Sequence, residues 1–480
     1  RRGSGRHQTL RHAVAWSYDL LSEGEKSLLV QCSVFAGGFD LESACAVAGS
    51  EEPDEYATLD LLDALVRKSL LIADRSTGRT RFSALETIRE FADEKLVARG
   101  EADAVRTAHA RRFAAREVDI PALWDSPRQH ETYDWFTSEL ANLRTAFRWA
   151  ADEGDLDTAT AIAILAAFVG FWVENYEPIS WAEELIEPAR AADHPRLVGL
   201  YVLASQCYMT GRVQAAVRYT EAGEMAWDRG RGVVPYGAEC FLGGAYVAAG
   251  QPERWVEWCR ARLARGSDTP AQATACLVIG LTVAGRRDEA MAAASGLIDA
   301  AEATGNPYVL SFALLACGLA FQNGDPGRAL GALRRSLAVT RDSGNRANES
   351  HVAANLCLVE AKHGDPLSAL DYFALAIRGY HDSGNTGMIH APLGGLAWFF
   401  DRLGRHEPAA TIAGFAAVNP LGALVFPEIA TAIAHLHEVL GDPVYESLAR
   451  DGETMTTTEM ATYVYDQIDQ ARTELNTVSK

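Results

Sequence analysis

Nucleotide hydrolysis calls for a loop of the form Gly-x4-Gly-Lys-Ser/Thr, whose backbone amides cradle phosphate. The chain offers only Glu25-Lys26-Ser27, which lacks the loop glycines and falls inside an expected helix. His435 and His437 stand two apart on another expected helix. They point to different faces, whereas a helical metal pair needs i, i+4 spacing. His109 sits among Ala and Arg in a polar helix and is expected at the surface. No Gly-x-Ser-x-Gly or His-Glu-x-x-His motif occurs. The eight cysteines (32, 45, 207, 240, 259, 276, 317 and 357) form no Cys-x-x-Cys pair and lie in Ala/Leu-rich stretches, as small buried apolar residues do. The reading is of a non-enzyme: no catalytic residue, no cofactor-binding residue and no metal ligand is assigned.

Basic residues are the remaining candidates for chemistry. Arg1, Arg2, Arg6 and Arg11 open the chain, and Arg75, Arg79 and Arg81 surround a turn. The latter three are candidate contacts to DNA or to a neighbouring domain. Against this, the formal charge of the 480 residues is −20, which disfavours nucleic-acid binding by the chain as a whole.

The arginines at the turn belong to a recognisable pattern. Gln8 to Leu21 reads as a helix with apolar residues at 10, 14, 18 and 21. Ser22-Glu23-Gly24-Glu25 has the spacing of a capping box and starts a second helix. Asp40 caps a third, to Ala48, and Leu59 to Leu70 is a fourth. Leu70–Asp74 and Thr80–Ala84 then flank Arg75-Ser76-Thr77-Gly78-Arg79 as a β-hairpin, and a long helix runs from Glu86 to about Arg99. Helices ending in a hairpin make a winged-helix pattern. Taking Asp40–Ala48 as its recognition helix, the acidic Asp40 and Glu42 and the lack of Arg or Lys would repel phosphate, so direct DNA binding is not expected.

Further along, glycines recur at 211, 250, 285, 324, 364 and 404, in steps of 39, 35, 39, 40 and 40. A second series at 230, 266, 305, 344 and 384 lies between them. Two turns per period without β-rich runs mean two helices per repeat, as in TPR-like solenoids. Gly324-Asp325-Pro326 and Gly364-Asp365-Pro366 repeat the same punctuation: a helix end, a cap and a first-turn proline. Five residues after the glycines of the first series stand Ala216, Ala290, Ala329, Ala369 and Ala409, with Trp255 as the exception. A small residue there lets paired helices approach closely. Trp255 and Trp258 share one helical face and read as core.

At this point a resemblance becomes specific. Arg6-His7-Gln8-Thr9-Leu10-Arg11, Trp16-Ser17-Tyr18-Asp19-Leu20-Leu21, Ser33-Val34-Phe35-Ala36-Gly37-Gly38-Phe39, Leu62 to Leu71, Leu85 to Ala92 and Glu139-Leu140-Ala141-Asn142-Leu143-Arg144-Thr145-Ala146 resemble the winged-helix segment, and the opening of the helical repeats, of actinobacterial STAND (NB-ARC-like) signal-transduction ATPase regulators. These are LuxR- or SARP-type regulators, or multidomain adenylate cyclases with the same tail. The resemblance is close over residues 6 to 150 and architectural beyond. It implies that the ATPase core, with its ATP/ADP and Mg, precedes Arg1, a start without an initiator Met or an apolar signal core. The place matching the Met-His-Asp of related NB-ARC proteins, Ala84-Leu85-Glu86, has no His, so nucleotide sensing there is not expected.

The expected fold is mainly α: a winged-helix-like domain with one β-hairpin over 1–115, a helical linker over 116–150, a TPR-like α-α solenoid over 151–440 and a helical cap over 441–480. The expected function is a regulatory, protein- or ligand-binding module of a signalling or transcriptional regulator. The alternatives are a cyclase's regulatory tail and a pure scaffold. The partners expected are a protein or small-molecule effector on the solenoid's concave face and the upstream nucleotide-binding domain. No membrane partner is expected, and the compartment expected is the cytoplasm.

Overall fold

The computed structural model describes residues 2–49, 54–76, 79–230, 234–419, 426 and 428–478. The chain divides into two compact units, one of Arg1–Ile120 with Asp134–Ala166, the other of Pro121–Tyr133 with Ala167–Lys480.

The first unit contains α1 (Arg2–Asp19), α2 (Glu23–Gln31), α3 (Leu41–Val47), α4 (Glu55–Arg67), β1 (Ile72–Asp74), β2 (Arg81–Ser83), α5 (Glu86–Ala98) and α6 (Ala102–Ala114). The starts of α2, α3 and α4 are fixed by side-chain caps. Ser22 and Glu25 form the expected capping box at α2, Asp40 accepts from Ser43 N at 2.8 Å, and Asp54 accepts from Tyr56 N and Ala57 N. β1 and β2 pair antiparallel with Ala73 opposite Phe82. Thr77 and Gly78, read as part of the turn, lie outside the described residues, as does Arg1. Phe39 adds a one-residue bridge to the hairpin, exchanging two backbone hydrogen bonds with Phe82. Its ring stacks on Phe35 at 4.6 Å, and with the buried Leu62 and Leu65 this forms the core. His109, expected at the surface, is buried instead, wedged between the rings of Phe35 at 5.0 Å and Phe113 at 4.9 Å. Its Ala and Arg neighbours in sequence occupy other faces of α6 and hide this.

Three helices cross the division along the sequence: α7 (Asp119–Trp124), α8 (His130–Asp152) and α9 (Leu156–Trp172). The second unit continues with α10 (Glu177–Ala191), α11 (Leu197–Ala204), α12 (Val213–Asp228), α13 (Gly244–Ala248), α14 (Pro252–Ala264), α15 (Pro270–Val283), α16 (Arg287–Ala293) and α17 (Leu297–Glu302). It ends with α18 (Pro307–Phe321), α19 (Pro326–Ser343), α20 (Arg346–His363), α21 (Pro366–Asp382), α22 (His390–Arg402), α23 (His406–Ala417), α24 (Ile429–Leu440), α25 (Asp442–Thr454) and α26 (Thr457–Val478). This is a TPR-like helical solenoid in which sequential helices pack as neighbours: α18 on α19, α19 on α20, α20 on α21 and α22 on α23. Ala216, Ala290, Ala329, Ala369 and Ala409 are all fully buried at the close approaches. Trp255, where the alanine is missing, is core: its Nε1 donates to Cys240 O at 3.0 Å, and that of Trp258 to Glu239 O. Nine of the eleven periodic glycines adopt positive φ, as helix ends require. The exceptions are Gly324 and Gly364, the two followed by Asp-Pro, where the aspartate caps the next helix through its side chain. All eight cysteines are buried and unbridged. No helix among the described residues is long and apolar enough to cross a membrane.

Candidate functional site

The hairpin arginines have different fates. Arg75 and Arg79 are exposed. Arg81, on β2, turns inward: its guanidinium donates to Gly38 O at 2.6 Å and to Glu139 Oε1 at 2.5 Å. Asn142, one helical turn after Glu139, donates to Glu139 Oε2 and to Gly38 O, and its Oδ1 accepts from Gly37 N at 3.1 Å. Glu139 and Asn142 are buried. The Gly-Gly-Phe and Glu-x-x-Asn segments therefore meet in one polar knot, held at its centre by a buried ion pair. Such a pair is tolerated where further hydrogen bonds support it, here from Arg81 to Gly38 O and from Asn142 to Glu139 Oε2. Arg81 is thereby committed to the fold of its unit.

A second set of polar residues lies inside the solenoid unit. Asn306, Asn345 and Asn385 follow the periodic glycines 305, 344 and 384, and all three are buried. Each Oδ1 caps local backbone amides, and each Nδ2 reaches across the array. Asn306 donates to Asp125 at 3.1 Å, Asn345 to Tyr133 Oη at 3.1 Å and Asn385 to Tyr176 Oη at 3.4 Å. Trp124, from the same 121–133 segment, is buried among Phe168, Trp172 and Tyr308 at 4.8, 6.0 and 5.4 Å. The 121–133 segment thus packs into the array through both polar and aromatic contacts.

The third cluster is one that spacing along a single helix does not reveal. His406 Nδ1 lies 3.0 Å from Asp401 Oδ1, and His435 Nδ1 lies 2.9 Å from both Asp401 oxygens. The three residues come from α22, α23 and α24, and their donor atoms fall within 4.8 Å of one another. The reading of His435 against His437 looked along one helix and missed partners supplied by two others. The buried carboxylate takes a hydrogen bond from each ring, so the cluster clamps three helices together.

Residues 21–97 match the family profile of a winged helix-turn-helix domain. Residues 21–97 are a winged helix-turn-helix domain. A protein of Mycobacterium tuberculosis (strain H37Rv), provisionally named an HTH-type transcriptional regulator, is 38% identical over 186 residues, 38% of this chain and 21% of that protein. An uncharacterized protein of the same organism is 46% identical over 99 residues, 20% of this chain and 25% of its own length. The chain therefore spans a fifth to a quarter of the relatives it matches. Among solved structures, a signal transduction ATPase with numerous domains and a tetratricopeptide repeat sensor from Pyrococcus horikoshii aligns with 95% of this chain and 64% of its own. The identity is 14% and the TM-score 0.45.

These matches correct the expectation that direct DNA binding is absent, because both the winged helix-turn-helix domain and the homology to HTH-type regulators point to DNA. The recognition helix was also miscounted. The domain begins at residue 21, after α1, so its third helix, immediately before the hairpin, is α4 and not Asp40–Ala48. α4 is itself acidic, with Glu55, Asp60 and Asp63 against Arg67, so the domain match and the homology, and not a more basic helix, overturn the expectation. α4 exposes Tyr56 and Leu59 and carries Asp60 and Asp63 in its middle. Its C-terminal end presents Arg67, followed by Lys68, whose ammonium pairs with Glu25 at 2.6 Å. The missed signal was the single-residue bridge at Phe39, which completes the wing sheet without reading as a strand.

Proposed function

We propose that this chain is a non-catalytic part of a transcriptional regulator, in which the winged helix-turn-helix domain contacts DNA and the solenoid binds an effector. The observation that carries this is the position of α4 directly before the wing, within a domain matched over residues 21–97. In this arrangement α4 enters the major groove and the wing lies along the backbone. Arg67, Arg75 and Arg79 supply positive charge to phosphates, offsetting a chain whose overall charge is negative. The resemblance of the Gly37-Gly38, Glu139 and Asn142 segments to STAND regulators supports a finer reading. In it, an ATPase core with ATP/ADP and Mg belongs to the parent polypeptide outside this chain, which works in the cytoplasm.

The test is fluorescence anisotropy of the chain with labelled duplex DNA across a salt series. The expected result is binding that weakens steeply with salt, with Arg75→Ala lowering the slope of log K against log salt by about 1. Absence of binding even at about 50 mM salt contradicts the proposal.

A further inference from the structure

The solenoid unit contains a cavity of about 170 Å³ bordered by residues of α9, α13, α14, α15, α18 and α20. For scale, an apolar cavity of about 150 Å³ suffices to hold benzene. Six aromatic side chains dominate its wall: Phe171, Trp172, Tyr208, Phe241, Trp255 and Phe312. Among the described residues, no Asp, Glu, Lys or Arg lines it. Its one histidine, His351, is held neutral, because burial lowers its pKa, and its Nδ1 faces Ala347 O at 2.6 Å. A charged ligand would leave its charge unpaired in this lining, at a large desolvation penalty.

The polar groups of the wall narrow the choice further. The amide donors of Gln206, Asn348 and Asn355 are spent on Phe241 O, Ser311 Oγ and His351 O. Trp172 differs: it is buried, and its Nε1–H has no hydrogen-bond partner. An orphaned buried donor asks for an acceptor. Trp172 also stacks on Trp124 of the 121–133 segment and lies 4.3 Å from Tyr308, so the wall is continuous with the aromatic cluster that fills the array.

We propose that this cavity is the effector site: it takes an uncharged, planar, largely apolar small molecule whose carbonyl or ether oxygen accepts from Trp172 Nε1. The proposal rests on the reading of the solenoid as an effector-binding part, and it names the class of effector.

Coumarin is a suitable probe: bicyclic, uncharged and bearing a carbonyl. Titrated into the full chain and followed by isothermal calorimetry, it is expected to bind saturably at one site. Coumarin-3-carboxylate should bind at least about tenfold more weakly, because its charge is not compensated. Ala248→Leu, which fills the cavity, should abolish coumarin binding while a thermal melt shows the protein folded. Trp172→Phe, which keeps a ring and removes the donor, should weaken binding by about fivefold to tenfold. Non-saturable coumarin binding, equal binding of the carboxylate, or undiminished binding to folded Ala248→Leu or Trp172→Phe overturns the proposal. DNA anisotropy on the same preparation separates the two readings. DNA binding without coumarin binding sinks only the cavity assignment, whereas coumarin binding without DNA binding sinks the regulator reading and leaves the site.

Discussion

The two units solve the same problem, fixing helices against one another, by opposite means. The winged helix-turn-helix unit depends on particular polar contacts, each made once: the Arg81–Glu139–Asn142 knot on the Gly37-Gly38 loop and the Glu25–Lys68 pair over the capping box. The solenoid depends on a small device used repeatedly: a helix-ending glycine, a capping Asp or Asn, and a buried alanine at the close approach. A unit built from unique contacts fails when one is removed. A unit built from repeats spreads its stability over neighbours, each repeat contacting the next. The proposed functions follow the same division, DNA contact by a few exposed groups of one unit and ligand capture in the packed interior of the other.

The largest expected effect strikes the unique contact. Glu139→Ala leaves the Arg81 guanidinium half-buried without its anion and should destabilise the first unit by about 3–5 kcal/mol. Hydrogen exchange of the α2–α5 amides would register it, and a loss confined to a few tenths of a kcal/mol would show that the knot is ornamental. The repeat device should yield less. Ala369→Leu, at a fully buried close approach, should cost about 1–3 kcal/mol and loosen α20 and α21 before other repeats.

pH sharpens the contrast, because the units should respond with opposite signs. His109 has its pKa depressed to about 3 by burial. Between that value and the ordinary histidine range the unfolded chain holds the proton and the folded chain does not, so the first unit loses stability as pH falls. Glu174, at φ 60°, has a carboxyl pushed up to about 8 by burial, and its Oε1 has no partner. Between the ordinary carboxylate range and pH 8 the folded chain holds the proton, so the solenoid loses stability as pH rises. Each slope is bounded at about 1.4 kcal/mol per pH unit. His109→Leu should flatten the first and Glu174→Gln the second, followed as unit-resolved exchange from pH 5 to 8. Slopes of one sign in both units would break the comparison. The smallest effect on stability belongs to the exposed wing: Arg75→Ala should change it by less than about 0.5 kcal/mol while weakening DNA binding.

Legibility in the sequence followed the same line. The glycine and alanine series announced the solenoid because one physical requirement recurs at a fixed interval, and the buried alanines lie where that interval puts them. The capping box at Ser22 and the hairpin around Arg75 were readable because their signals are local. What failed was whatever depends on partners distant in sequence. His109 is polar by its neighbours and apolar by its position, since the rings that bury it stand on segments remote from it or one turn away. His435 finds Asp401 from thirty-four positions off. The cavity draws on six helices spread along the sequence from α9 to α20. The recognition helix was misassigned because a strand one residue long, Phe39, leaves no alternation to read.

The proposed meeting of α4 and the wing with DNA can be observed in the amides themselves. Hydrogen–deuterium exchange of the whole chain, with and without a saturating duplex at low salt, tests it directly. The expected result is new protection over residues 54–76 and 79–83, α4 and the wing, with the amides of α18 to α23 unchanged. Protection confined to the solenoid, or no change anywhere under conditions where anisotropy reports a complex, would contradict it.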